Sequence, residues 1–238
     1  MPSLKKIICL ANSWKNKERC IAGIDVDTGN WIRPVCDDLY PQDGRVPNNI
    51  RLVEGREPQL LDILEIPLAE TGNNFGFESE NLTIIRSGQW RLLGKATPED
   101  VFQYCVNNPY ILHNRIKYVK ESYLKSLPFE QRHTLQLIYV DKLDVKSEVN
   151  NEGSTKWKGT LETTSGQKLI DMVITDPEFV SQLNEGYQIK GSYLVTVSLG
   201  MPGQYIGWET ENLCWKLIAG VIEIPHPPNQ QLSLDLCS

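Results

Sequence analysis

The chain has 238 residues, of which 40% are hydrophobic and 23% are charged, and its formal net charge is −6. This apolar content is enough to bury a core, and the net charge is too small for a disordered polyanion, so we expect the chain to fold. The negative charge excludes a protein that coats nucleic acid with its whole surface. No apolar stretch reaches the roughly 18 residues of a transmembrane helix, and the N-terminal residues lack the features of a signal peptide. We therefore expect a cytoplasmic protein.

The six cysteines are far apart in the sequence, and none forms a CxxC pair or a Cys/His pair at metal-ligand spacing. This pattern is typical of reduced thiols buried as small hydrophobic side chains. We predict neither a metal nor another cofactor.

Basic residues are concentrated in two regions. Residues 1–36 carry six basic side chains against three acidic ones, and residues 101–150 carry seven against five. Residues 37–100 and 151–238 carry more acidic than basic side chains. The N-terminal strands and the middle of the chain are therefore the regions expected to face phosphate groups.

The first half reads mainly as β-strands. Asp27 to Asn30 has the composition of a hairpin turn, and Pro34 should end a strand or place it at a sheet edge, because proline cannot donate to the ladder. A loop rich in Gly and Pro follows. We predict strands at 4–10, 19–26, 31–35, 49–53 and 60–68.

Two helices are predicted in the middle of the chain. Thr97 and Pro98 begin one that continues to about Cys105, because threonine is a good N-cap and proline fits the first helical position. The second covers 116–126. It ends before Pro128.

The second half also reads as β-structure, with a short helix from Asp176 to about Leu183. The predicted strands are 134–146, 155–163, 167–174, 189–199 and 213–224. Five strands with a helix before the fourth are close to an OB-type barrel. We predict a mainly β protein with a few helices and two tandem OB-like barrels, at 1–130, with a long loop and a helical insert, and at 131–224, followed by an extended tail at 225–238.

The two halves share one short similar segment, which we call the echo. Cys20 to Ile24 (CIAGI) is similar to Leu217 to Val221 (LIAGV). Five residues can match by chance, so this echo leaves the question of internal duplication open.

The opening IICLANS, the segment RCIAGIDVDTGNWIRPV, and the late segments YLVTVSLG and CWKLIAGVI together resemble the bacterial dual-OB-domain proteins. The resemblance covers about residues 4–224 and is most specific at its two ends. It implies two OB-like barrels in tandem, nucleic-acid binding, and a role in defence or genome maintenance.

OB-type barrels hold single strands by combining aromatic rings with basic side chains on one strand face. Trp31 and Arg33 should point to the same face because strand residues alternate. Trp157 lies between two lysines and is expected at the surface, whereas packing in a core is the alternative for Trp31 and Trp215. The predicted nucleic-acid-binding residues are Lys15, Lys17, Arg19, Trp31, Arg33, Lys156, Trp157 and Lys158.

The tail carries a separate motif. Pro225 to Gln230 reads as a stiff spacer. The next residues resemble the QLxLxL peptide with which bacterial proteins dock on the replication sliding clamp: the glutamine amide sets the register, and the leucines enter apolar pockets. The partner-binding residues would be Gln231, Leu232, Leu234 and Leu236. The alternative is that these leucines form a last strand on the protein's own barrel.

No catalytic motif is apparent. His113, His133 and His226 have no partner at ligand spacing, and neither phosphate-binding loop motif, G-x-x-x-x-G-K-[ST] nor G-x-G-x-x-G, occurs. A metal-dependent nuclease remains an alternative, with Mg²⁺ held by the acidic pairs Asp25/Asp27 or Asp62/Glu65. The other alternative is a protein-interaction adaptor that never contacts nucleic acid. The favoured function is a non-catalytic module that binds single-stranded DNA or RNA.

Overall fold

A computed structural model describes residues 3–106, 108–149, 153, 155–204 and 211–224. The first half contains β1 (Ser3–Lys15), β2 (Glu18–Asp25), β3 (Trp31–Val35), α1 (Asn48–Arg51), β4 (Asp62–Leu68), β5 (Asn81–Thr83) and β6 (Arg91–Lys95). The middle contains α2 (Pro98–Phe102), β7 (Tyr118–Lys120), α3 (Glu121–Ser126) and a 3-10 turn (Phe129–Gln131). The second half contains β8 (Leu135–Val140), β9 (Lys142–Val149), β10 (Thr155–Glu162), β11 (Lys168–Val173), α4 (Pro177–Asn184), β12 (Ser192–Leu199) and β13 (Leu213–Ile224).

The first half forms a barrel in which β1 is the central strand. β1 pairs antiparallel with β2 and with β4, and β2 pairs with β3. β3 then pairs in parallel with β5, and a bridge between Leu68 and Ile84 joins the end of β4 to the residue after β5. The order of the five strands is therefore third, second, first, fourth and fifth, with the fifth returning to the third.

The second half has the same order. β8 and β9 together act as a long first strand that bends at Asp141, since β8 pairs with β12 and β9 pairs with β10. β10 pairs with β11, β12 pairs with β13, and a parallel bridge between Ile174 and Ile218 closes the circuit. α4 lies between the third and fourth strands. The prediction of a mainly β protein with two OB-type barrels is confirmed.

The observed helices and strands agree with the predicted ones to different degrees. The last strand has the predicted bounds, and α2 has the predicted N-cap, with a capping box between Thr97 and Asp100. The predicted strand at 49–53 is wrong, because residues 48–51 are helical. The predicted helix at 116–126 is wrong in its first part, where β7 pairs with β13. The short strands β5, β6 and β7 were not predicted.

The two barrels pack against each other through an apolar cluster that draws side chains from both. It includes Ile8, Leu10 and Ile24 from the first barrel and Leu137, Leu194 and Ile222 from the second. Trp31 packs against this cluster and against a smaller one in which Ala11 and Ala22 meet Leu135 and Ala219. A continuous buried seam of this kind holds the barrels together as one body.

The short sequence echo lies on strands that do not correspond. Cys20 to Ile24 belongs to β2, the second strand of its barrel, whereas Leu217 to Val221 belongs to β13, the fifth strand of the other. Both segments bring a glycine against the backbone of β1: a β-carbon on Gly23 or Gly220 would lie 2.1 or 2.3 Å from a β1 carbonyl oxygen. The shared Ala-Gly pair therefore reflects close packing on β1.

In the described part of the chain, no helix has the length and apolar character needed to cross a membrane.

Candidate nucleic-acid interface

The predicted pair of Trp31 and Arg33 lies at the junction between the barrels. Both side chains point away from the core of the first barrel, as the strand alternation predicted, because Ile32 between them belongs to that core. However, the second barrel covers this face: Trp31 is half-buried in the shared clusters, and Arg33 is only 1% exposed. The expectation that they form a solvent-facing stacking and phosphate-binding pair is therefore corrected.

Arg33 is the centre of a buried polar network. Its guanidinium forms an ion pair with Glu78 of the first barrel and donates to Thr134 Oγ1 of the second barrel at 3.0 Å. It also contacts Asn81 Oδ1 at 3.4 Å and Ser198 Oγ at 3.5 Å. Burial disfavours the charged guanidinium, but nearby groups, chiefly the carboxylates of Glu78 and Glu80, together outweigh that cost, so the pKa of Arg33 is raised. These bonds tie the barrels together.

OB folds commonly bind oligonucleotides on the face of their second and third strands. In the first barrel these strands are β2 and β3, whose outer face carries Ala22, Ile24, Trp31 and Arg33 and is buried against the second barrel. In the second barrel they are β10 and β11, and their outer face carries exposed side chains. Of the two equivalent faces, the structure therefore leaves the one on the second barrel accessible.

We call the outward-pointing side of β9, β10 and β11 the open face. The opposite side of these strands carries core residues such as Leu143, Leu161 and Leu169. Ile170 is 55% exposed and Val173 is 36% exposed on the open face. Its other members are polar or charged: Lys142, Asp144, Lys146, Glu148, Lys156, Lys158, Thr160, Glu162 and Lys168.

Most lysines of the open face have carboxylate partners. Lys158, a predicted site residue, pairs with Glu148, and Lys146 pairs with Asp171 at 2.8 Å. Lys156 is exposed, and within the described residues no ion pair engages it. The lysines predicted here therefore do lie on one face, but carboxylates are interleaved among them and lower the local positive charge.

Trp157 does not point to the open face. It is half-buried, packs against the core of the second barrel, and donates from Nε1 to Asn184 Oδ1 at 2.8 Å. Its ring lines a groove of about 570 Å³ together with Leu183 at the end of α4 and Tyr187 in the following loop. The expectation of a surface stacking ring at Trp157 is corrected: the strand alternation that exposes Lys156 and Lys158 turns the ring between them inward.

Cations and aromatic rings do meet beside the open face, in residues 110–118, which we call the edge segment. Arg115 lies over the ring of Tyr110 at 5.4 Å, and Lys117 lies over the ring of Trp215 at 5.4 Å. The rings of Tyr118 and Trp215 are 5.4 Å apart and tilted. Trp215 was weighed as a core residue. Lys117 and Tyr118 were missed because 116–126 was read as a helix, and no sequence pattern singled out Tyr110 or Arg115.

The edge segment is hydrogen-bonded to the residue that precedes β11, at the end of the open face. Gln167, which immediately precedes β11, accepts from the Ile111 amide at 2.8 Å and donates to the Asn114 carbonyl at 3.3 Å. Ion pairing with Lys146 lowers the pKa of Asp171 on β11, and Lys117 contributes to this shift, so its ammonium group acts electrostatically on the open face. The segment therefore lies next to the open face.

The predicted basic residues of the N-terminal hairpin lie together at its tip. Lys17 is exposed in the turn and Lys15 is half-buried at the end of β1. Arg19 is half-buried and lies over the ring of Trp14, 5.6 Å from its centroid, and burial lowers the pKa of Arg19. Trp14, which is 46% exposed, was not predicted. Among the described residues, no ion pair joins these three cations to a carboxylate.

Three of the four carboxylates considered as Mg²⁺ ligands are already engaged by cations. Lys5 pairs with Asp25 at 3.0 Å, Arg56 pairs with Asp62 at 2.7 Å, and Arg91 pairs with Glu65. No cluster of three or more His, Cys, Asp or Glu side chains suited to a metal ion occurs among the described residues. His113 Nε2 bonds the carbonyl oxygen of His133 at 2.7 Å, and burial lowers the pKa of His113.

The predicted docking peptide, with Gln231, Leu232, Leu234 and Leu236, and its spacer from Pro225 lie outside the described residues, as does His226.

Two barrels with the same five-strand order, packed through a shared seam, define a tandem OB protein. A family model described as the dual OB-containing domain matches residues 5–221, and the chain belongs to this family. No curated protein matches the sequence. The family resemblance seen in the sequence is thus confirmed. An OB-type fold is associated with oligonucleotide binding in general.

Proposed function

We propose that the protein binds single-stranded nucleic acid, without catalysis, on the open face of the second barrel and the adjoining edge segment. One observation carries this proposal: the second and third strands of the first barrel are covered by the second barrel, whereas the equivalent strands of the second barrel are accessible and adjoin Lys117, Tyr118 and Trp215. Arg33 and Trp31 then serve assembly of the two barrels. Stacking of bases then falls to the second barrel.

The chemistry of the edge segment suits a single strand. Bases stack on aromatic rings regardless of sequence, and each such contact is worth about 1–3 kcal/mol. Lys117 and Arg115 are cations held next to such rings, where they can pair with phosphate groups. Ile170 and Val173 add exposed apolar contacts on β11.

Fluorescence anisotropy with labelled 15-nucleotide dT and U strands at about 50 mM salt tests this function, because phosphate contacts are strongest at low salt. We expect the combined variant Lys117→Glu/Trp215→Leu to raise Kd roughly 10-fold or more, given the stacking energies above. Lys95→Glu is the matched control: Lys95 is an exposed lysine of β6 in the first barrel, and this charge reversal should change Kd less than about twofold. Equal losses in the two variants, or no binding by the unaltered protein, would refute the proposal.

The pairing of open-face lysines with carboxylates favours a second function, a protein-interaction adaptor. Because Lys146 and Lys158 are neutralised by Asp171 and Glu148, this face presents alternating charges that a protein surface could match. The anisotropy experiment separates the two functions. The adaptor predicts no response to either strand even at low salt.

We place the protein in the cytoplasm, in keeping with the buried free thiols of Cys9, Cys36 and Cys214, and in a bacterial pathway of defence or genome maintenance. The peptide from Gln231 to Leu236 would bring it to the replication sliding clamp, while the barrels hold a single strand nearby. The domain bounds 1–130, 131–224 and 225–238 belong to this proposal, although β7 joins the sheet of the second barrel.

A further inference from the structure

Lys216 is a buried lysine of β13 whose ammonium group donates three hydrogen bonds to the edge segment. It is only 1% exposed, and its Nζ donates to the Ile111 carbonyl at 2.5 Å, the Asn114 carbonyl at 2.7 Å and Asn114 Oδ1 at 3.0 Å. Its backbone amide donates to the Lys117 carbonyl at 2.9 Å. No carboxylate of the described residues pairs with this ammonium group.

The part of the edge segment that Lys216 holds has an unfavourable backbone. Leu112 and His113 have φ angles of +45° and +73°, in the left-handed region that side chains disfavour. Such a conformation persists only when surrounding contacts impose it. An ammonium group has three donors and meets three acceptors here, whereas a neutral amine has two, so deprotonation would leave one acceptor without its hydrogen bond.

Burial brings the protonation equilibrium of Lys216 near neutral pH. It lowers the pKa of Lys216 to about 7. The titratable side chains of the same segment are Tyr110, His113, Arg115, Lys117 and Tyr118. Burial lowers the pKa of His113 below its ordinary value. The charges of His133, Glu80 and Lys216 also act on the pKa of His113.

We propose that Lys216 is a positioning residue for the single-strand site, and that its protonated form holds the edge segment in the binding geometry. This inference rests on the proposed function. Phosphate groups on the neighbouring surface favour the charged form, so binding should raise the affinity of Lys216 for its proton. By linkage, affinity for a single strand should fall as pH rises, by up to about tenfold for each unit by which binding shifts the pKa.

The first test compares the pH dependence of Kd for a labelled 15-nucleotide dT strand between pH 6.5 and 8.5, in the full chain and in Lys216→Met. We expect affinity to fall about three- to tenfold across this range in the unaltered protein and distinctly less in the variant. Lys190→Met, at an exposed lysine, is the control and should keep the full dependence. Binding with parallel pH profiles in all three proteins would overturn this inference alone. Absence of binding would overturn the proposed function with it.

The second test needs no variant. The ¹⁵Nζ resonance of Lys216 in the full chain is followed against pH by nuclear magnetic resonance, with and without the dT strand. We expect an apparent pKa near neutrality that moves upward when the strand is bound. An unchanged pKa at saturating dT would overturn the inference. Hydrogen exchange of amides 110–118 should also accelerate in Lys216→Met, and unchanged exchange would show that Lys216 does not hold the segment.

Discussion

Gly220 in β13 lies against the carbonyl oxygen of Leu10 in β1, so closely that a β-carbon on Gly220 would be 2.3 Å from that oxygen. A residue with any side chain would push the two barrels apart at the centre of their seam. We expect Gly220→Ala to lower the free energy of unfolding by about 1–3 kcal/mol, as overpacking does in other cores. Urea denaturation measures this loss.

Gly94 in β6 is the matched control for that experiment. A β-carbon there would meet no atom within 4 Å, and Gly94→Ala should leave stability within about 0.5 kcal/mol. If the two alanine variants were equally stable, the close approach of β13 to β1 would not be a constraint on the fold.

A second prediction concerns the stability that is lost when the buried ion pair between Arg33 and Glu78 is broken. Arg33→Met leaves the Glu78 carboxylate buried without its cation, and removal of one partner of a buried ion pair typically costs about 3–5 kcal/mol. Arg91→Met removes a cation whose pair with Glu65 is largely solvent-exposed on the arginine side, and should cost at most about 1 kcal/mol. Adding Glu78→Gln to Arg33→Met should recover part of the loss. Thermal or urea unfolding of the three variants distinguishes these outcomes.

Trp31 and Arg33 show which part of the candidate site can be predicted from the sequence and which part cannot. Strand alternation correctly predicts that they share a face, because this depends only on their spacing. It cannot show what covers that face, since Thr134 and Ser198, which contact Arg33, lie more than about 100 residues further along the chain. A buried arginine and an exposed one have the same local sequence pattern.

The conformation of the edge segment could not be predicted from local helix propensity. Residues 116–126 have a composition compatible with a helix, but Tyr118 to Lys120 pair with β13. The three hydrogen bonds of Lys216 impose the conformation of the preceding residues from a distant strand. Tertiary contacts therefore override local propensity here. By contrast, β13 is long and strongly apolar, and its bounds were predicted.

The pH dependence of stability provides a third prediction, at the N-cap of α4. Asp176 accepts from the amides of Glu178 and Phe179 and from Val221 of β13. Burial raises the pKa of this carboxyl from 3.8 to about 6, against the lowering effect of those amides. The folded protein therefore holds the proton more tightly than the unfolded chain. The resulting stabilisation is complete below pH 3.8 and is lost as pH rises through about 6.

A shift of about two pKa units corresponds to about 3 kcal/mol. The stability of the unaltered protein relative to Asp176→Asn should therefore fall by about this amount between pH 4 and 7, because the variant lacks the titrating group. Denaturation of both proteins at several pH values gives the difference. A difference that stays constant would mean that Asp176 titrates as it does in the unfolded chain.

The hairpin tip makes a fourth prediction. Lys15 and Lys17 lie at the tip beside Arg19, which stacks over the exposed ring of Trp14. If both lysines contact phosphate groups, Lys15→Gln/Lys17→Gln should reduce the slope of log K against log salt by about 1.4, at roughly 0.7 for each contact with a single strand. Anisotropy titrations from about 50 to 200 mM salt measure the slope. An unchanged slope would confine the single-strand site to the second barrel.

The docking peptide makes the last prediction. A glutamine and spaced leucines bind as an extended peptide, with the amide setting the register and the leucines filling apolar pockets. We expect the full chain to capture a purified bacterial sliding clamp in a pull-down, and Gln231→Ala/Leu234→Ala to lose that capture. Asn229→Ala, in the spacer, is the control and should bind the clamp as the unaltered chain does. Equal capture by the double variant would refute clamp docking. Retained anisotropy with dT in that variant would show that strand binding is independent of the tail.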